Sequence, residues 1–147
     1  MRKSMLALLF ALAAVFFLSN SMAEAGEYRM SQDPEALAFI GRWEGNIEGS
    51  QGETRSLEIV LADLQDNGDI TCKRYHLGPL GRDRHKDIGP RDVKIKKAVV
   101  EKYQGKFRLI VTTDRFEIIY AIDSGKLVRE STGTSAREEK AILRKVK

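Results

Sequence analysis

The feature that most constrains this chain is a change of hydrophobic period at Gly41. Beyond it, Trp43, Gly45 and Ile47 fall on one side, with Arg42, Glu44, Asn46 and Glu48 on the other. The alternation returns at Leu57, Ile59 and Leu61, at Phe107, Leu109 and Val111, and at Phe116, Ile118, Tyr120 and Ile122. Successive side chains of a strand point to opposite faces, so a period of two builds half-buried sheet. Turn chemistry bounds each run. Ser50-Gln51-Gly52, Asp66-Asn67-Gly68-Asp69, Gln104-Gly105 and Asp123-Ser124-Gly125 supply residues that accept the positive φ of tight hairpins. The pattern predicts eight strands, at about 41–48, 55–64, 70–77, 93–101, 107–113, 115–122, 126–132 and 140–147.

One short helix is expected before the first strand. Asp33 is placed to cap it, Pro34 occupies its first position and Glu35 its first turn, and the segment runs from Pro34 to Ile40. With no second helix to cover a sheet, the strands have two economical arrangements, a sandwich or a closed barrel. Short successive connections suit a meander, and closure removes edges that an exported sheet would otherwise have to protect. The expected fold is therefore all-β, an eight-stranded antiparallel up-and-down barrel, with residues 78–92 as the long connection.

At the N-terminus, Arg2 and Lys3 precede an uncharged run from Met5 to Leu18, followed by Ser21-Met22-Ala23 and Ala23-Glu24-Ala25. This is the pattern of a secretory signal peptide. A membrane span needs about 20 continuous apolar residues, and Ser19, Asn20 and Ser21 interrupt this run. The expected organisation is a signal peptide over 1–25, a short segment over 26–33 and one barrel domain over 34–147. The expected location is the periplasm or the exterior, with no transmembrane segment after cleavage. The formal charge of +4 falls to +3 when Arg2, Lys3 and Glu24 leave. The single Cys72 excludes an intramolecular disulfide, so stability has to come from packing and hydrogen bonds. Its neighbours Lys73 and Arg74 favour a reactive thiolate, whereas a place on a strand favours a quiet one.

A short helix leading into Gly41-Arg42-Trp43 on the first strand of a meander resembles the lipocalin and calycin group. The similarity extends to small exported lipocalin-like domains of bacteria through Leu57 to Leu61, Asn67-Gly68, Tyr75-His76-Leu77-Gly78 and Ile142-Leu143-Arg144. The resemblance implies a barrel end closed by Gly41 and Trp43, with Arg144 lying over the indole and Arg137 as the reserve candidate. Classical lipocalins are longer and often disulfide-bonded, so it does not by itself imply a roomy cavity.

A search for chemistry yields little. Gly133-Thr134-Ser135-Ala136-Arg137 begins like a nucleophile elbow but carries Arg where the second glycine belongs. His76 and His85 have no cysteine pair or carboxylate at metal spacing beside them. Glu138-Glu139 and Asp83 with Asp87 sit in charge-rich segments, unlike the opposed environments that separate a catalytic acid from its base. No catalytic residue, metal or cofactor is expected. Residues 91–108 carry Arg91, Lys94, Lys96, Lys97, Lys102, Lys106 and Arg108 against Asp92 and Glu101. Export and the lack of interleaved stacking aromatics argue against nucleic acid. Peripheral contact with an anionic membrane surface or an acidic partner, and simple solubility, remain as readings of this stripe.

The interior supplies the sharper hypothesis. If Tyr75 and Leu77 face inward, strict alternation brings Lys73 with them; in the other register Arg74 and His76 face inward, so either leaves a cation there, and Leu127 brings Arg129. A buried cation costs several kcal/mol unless paired, so an anionic amphiphile such as a fatty acid is a fitting ligand. Its tail would lie among Phe107, Leu109, Ile118 and Tyr120, with Lys73, Tyr75 or Arg129 at its head. The competing reading is a filled barrel that acts through its surface at the envelope, since Phe107, Phe116 and Tyr120 are large for so small a barrel.

Overall fold

The computed structural model describes residues 27–49, 52–80, 89–130 and 139–147. The expected leader, Arg137 with the Gly133–Arg137 stretch, Glu138, and His85 with Asp83 and Asp87 lie outside these residues. The described chain is all-β, an antiparallel sheet of nine strands curled into a half-barrel, with little helix. The strands are β1 (Gly41–Glu48), β2 (Thr54–Ala62), β3 (Thr71–Leu77), β4 (Arg91–Asp92), β5 (Lys97–Tyr103), β6 (Lys106–Thr112), β7 (Glu117–Asp123), β8 (Lys126–Arg129) and β9 (Lys140–Val146). Their order in the sheet is β4-β3-β2-β1-β9-β8-β7-β6-β5. Strands adjacent in sequence are neighbours in the sheet, and the last strand lies beside the first, as an up-and-down arrangement requires; the order is interrupted between β4 and β5, and the two-residue β4 adds a ninth strand.

The helix α1 (Pro34–Leu37) begins as its sequence dictates, with the Asp33 carboxylate accepting from Glu35 N at 3.0 Å. It is shorter than expected, and Ala36 and Phe39 pass directly into the core at 0% and 1% exposure. Inward positions carry Trp43, Leu57, Ile59, Leu61, Tyr75, Val100, Leu109, Val111, Tyr120, Leu127 and Leu143, all buried. The outward side of β1 to β3 is ionic: Arg42 pairs with Glu44 and Glu58, and Arg74 also reaches Glu58.

Two local irregularities shape the interior. Between Val60 and Leu61 the β2–β3 register shifts, so that Val60 faces Arg74 while Leu61 faces Cys72. The extra residue is Lys73, a β-bulge that breaks strict alternation. Tyr75 and Leu77 do point inward, but Lys73 is exposed and Cys72 packs against the core in its stead. Phe116 is the second departure, at 66% exposure. A tight turn holds it outside β7: Thr113 N donates to Phe116 O at 2.8 Å, and Phe116 N donates to Thr113 Oγ1 at 3.0 Å.

The two flanks of the sheet also touch. Asp69 bridges Val99, with Ile70 N donating to Ala98 O at 3.0 Å and Val100 N to Gly68 O at 2.8 Å. This bridge continues the antiparallel register of the β3–β4 pairs His76–Asp92 and Leu77–Arg91. Gly68 is required here: its φ is +95°, and a Cβ on it would sit 2.3 Å from Val100 O.

Candidate functional site

The half-barrel has two unlike ends. At one, α1 and the start of β1 meet the end of β9. Trp43 is 1% exposed, and its indole N–H donates to Phe39 O at 2.9 Å, tying the ring to the helix that precedes it. The cation over the ring is Lys145, whose Nζ lies 5.3 Å from the ring centroid and donates to Ala38 O at 3.0 Å. Ala141, Leu143 and Lys145 share the inner parity of β9, so Arg144 is on the other side, exposed, opposite Glu44. The assignment of Arg144 to the indole is corrected by one position along the strand. Gly41, at φ +139°, leaves the space that the Lys145 stem crosses, since a Cβ there would meet Lys145 Cε at 2.5 Å.

At the other end, Tyr75 from β3 and Tyr120 from β7 bring their hydroxyls within 2.6 Å, one donating to the other. Burial pushes both phenols above their usual range, Tyr120 furthest. Tyr120 is the cross-strand partner of Arg129, whose guanidinium donates to Glu139 at 2.7 Å. Arg55, inward on β2, donates Nε and Nη2 to Gly78 O at 3.0 and 2.9 Å. Burial lowers its pKa, Arg91 adds to that, and Glu139 opposes it. Tyr120, which the sequence reading places among the tail residues, thus meets Tyr75 at its hydroxyl and stands opposite Arg129 on β8, while Lys73 is not among them.

The predicted tail residues are wall, not lining. Leu109 and Tyr120 are 0% exposed, Phe107 and Ile118 8%. A depression of about 850 Å³ touches Phe107 but otherwise runs past Glu35, Phe39, Tyr103, Arg108 and Val128, away from Tyr75 and Arg129. No protein-family model, curated protein or solved structure matches this chain.

Chemically, the tyrosine end is quiet. Two phenols held protonated by burial are neither bases nor nucleophiles near neutral pH. Cys72, which sequence reasoning set beside two cations, is pushed up to about 11 by burial and stays a thiol. Among the described residues no group of three or more His, Cys, Asp or Glu side chains is placed to hold a metal ion. His76 meets a single carboxylate, Asp92, at 2.7 Å. Glu139 and Arg55 were not singled out as site residues from sequence; the inward parity of Arg55 with Leu57 and Ile59 was the signal available.

Proposed function

We propose that this chain is an exported, lipocalin-like protein whose barrel is closed and filled, and that it binds a partner at the envelope through its outer surface rather than carrying a ligand inside. The observation that carries this reading is the state of the predicted binding groups. Leu109 and Tyr120 have no exposed surface, the two tyrosine hydroxyls satisfy each other, and Arg129 is already paired with Glu139. A fatty-acid tail would have to displace packed side chains, each worth about 1.5–3 kcal/mol of burial. Closure is supported by the Asp69–Val99 bridge and its shared register with β4. Signal-peptide export follows from the leader sequence, and no catalytic step is part of the proposal.

The second reading, an anionic amphiphile held inside, is favoured by one observation: Tyr75, Tyr120 and Arg129 converge on one patch. Native mass spectrometry of the purified protein, followed by titration with a fluorescent fatty-acid probe, separates the two. The filled-barrel reading expects no retained lipid and no probe binding. A bound probe that a long-chain carboxylate displaces, with Arg129→Ala weakening the carboxylate and sparing a neutral alcohol of equal length, overturns it.

A further inference from the structure

The rim above the two tyrosines gathers cations from three strands. Arg55 on β2 is the cross-strand partner of Ile47, Arg91 on β4 that of Leu77, and Arg129 on β8 that of Tyr120. Ile47, Leu77 and Tyr120 are buried. Opposed residues of antiparallel strands share a face, so all three arginine stems lean inward. Register also sets their depth. Arg55 and Ala141 both face Ile47, and the β8–β9 pairing carried one step beyond Val128–Ile142 brings Arg129 to Ala141. Arg91 enters one inward position lower, beside Leu77, which faces Leu57. Glu139 accepts from Arg129 at 2.7 Å, and its charge also bears on Arg55. The charge of Arg91 bears on Arg55 with the opposite sign.

Arg55 is the uncompensated member. It is part-buried, and both of its bonds go to a neutral acceptor, Gly78 O. A cation taken out of water is costly unless a counter-charge accompanies it. Among the described residues the ion pair at this rim is Arg129 with Glu139, and neither Arg55 nor Arg91 has a carboxylate within ion-pair distance. The nearby acids are engaged or turned away: Glu48 and Glu130 take the outward parity, Asp92 is outward in its bond with His76, and Glu53 leans against Gly49. Even with Glu53 counted beside Glu139, the mouth is net positive. We infer that this mouth binds a tetrahedral oxyanion of the phosphate-monoester kind, held by Arg55 and Arg91, with the Arg129–Glu139 pair as the third side of the site. The site lies above the packed interior, so it goes beyond the surface-acting reading and requires no cavity. A guanidinium presents two parallel N–H donors, and one such fork spans both oxygens of a planar carboxylate. A phosphate monoester offers three acceptor oxygens and up to about two charges, which suits cations arriving from separate strands.

The test is isothermal titration calorimetry of the full-length exported protein with inorganic phosphate, in a chloride buffer near neutral pH at constant ionic strength. The expected result is saturable binding at one site. Arg91→Gln should weaken it at least about tenfold, because a charge-assisted bond is lost. Arg91 is exposed, so the fold survives the change, and a thermal melt verifies this. In Arg55→Gln, phosphate should no longer raise the melting temperature as it does in the parent protein. Lys97→Gln, exposed at the start of β5, should leave binding nearly unchanged, since general attraction is screened at that ionic strength. Absence of saturable binding overturns the proposal, as does binding that Arg91→Gln fails to weaken or that acetate matches at equal concentration. Vesicles separate the sources of the oxyanion. Sedimentation with phosphatidic acid vesicles but not with phosphatidylglycerol vesicles places it on a lipid headgroup, whereas binding of inorganic phosphate without either places it on a soluble molecule. Phosphate bound with the fatty-acid probe unbound leaves the filled-barrel reading standing. A bound probe removes that reading, and the phosphate titration still decides the site.

Discussion

The two ends of the half-barrel are built on opposite principles. At the Trp43 end one large ring is clamped between α1 and β9 by its own N–H and by the Lys145 ammonium. At the Tyr75–Tyr120 end the interior finishes in paired polar groups that satisfy one another before water or a ligand arrives. The first end gains by excluding water over a wide apolar area; the second only offsets the cost of burying hydroxyls and a guanidinium. Stability should therefore be concentrated at the Trp43 end and pH sensitivity at the tyrosine end.

The largest effect expected is from Trp43→Ala, which should lower unfolding free energy by about 3–5 kcal/mol in urea melts. A loss under about 1 kcal/mol would show the ring to be peripheral and dissolve the contrast. Next comes Tyr120→Phe, which leaves the Tyr75 hydroxyl buried without its partner and should cost about 1–3 kcal/mol. The double change Tyr75→Phe with Tyr120→Phe should cost less than the two single losses added together.

The same pair sets the alkaline behaviour. Both phenols have folded-state values raised above 10.0 by burial, so their contribution is complete below that pH. It is lost as pH rises through the folded values, because the unfolded chain gives up the protons first. Cys72 acts with the same sign between 9.0 and about 11. Melts from pH 8 upward should show stability falling above about pH 9, less steeply in the double Phe variant carrying Cys72→Ala. An identical slope in that variant would place the titrating groups elsewhere.

The smallest effect sharpens the plug itself. Lys145→Met should cost about 0.5–1 kcal/mol through the lost cation–π contact and the bond to Ala38 O, whereas Arg144→Met should be close to neutral. Equal losses would mean that the ring takes its cation from neither face in particular.

Much of this contrast is legible in the sequence. Trp43 declared itself because a large aromatic between glycines, on the inward parity of a clear alternation, has few roles besides closing a core. Arg129 followed from the parity of Leu127 and Tyr75 from that of Leu77. Lys73 did not, because a single inserted residue at Lys73 inverts parity, and nothing in Thr71-Cys72-Lys73-Arg74 marks it. Arg144 and Lys145 were exchanged for a related reason: Ile142-Leu143 is an apolar pair from which either parity can be read, and the family resemblance favoured the arginine. The tyrosine contact joins residues 45 apart on non-adjacent strands, so it depends on the curl of the sheet rather than on local pattern. Phe116 shows the limit from the other side, since its hydrophobicity fits a strand while Thr113 and its turn hold it in water.

The position of β9 has a consequence for how the molecule is made. Lys145 reaches Ala38 across 107 residues, and β1 has β9 as one of its two neighbours. As the chain emerges N-terminus first, the hairpins of β1 to β3 and of β5 to β8 can each pair locally, while the second edge of β1 and the Trp43 plug wait for the last strand. Assembly of the Trp43 end is thus a late, long-range step with a large loop to close, and such steps set slow folding rates. The earliest part of the domain to be born is among the last to be completed, which leaves a long interval in which the β9-facing edge of β1 lacks a partner.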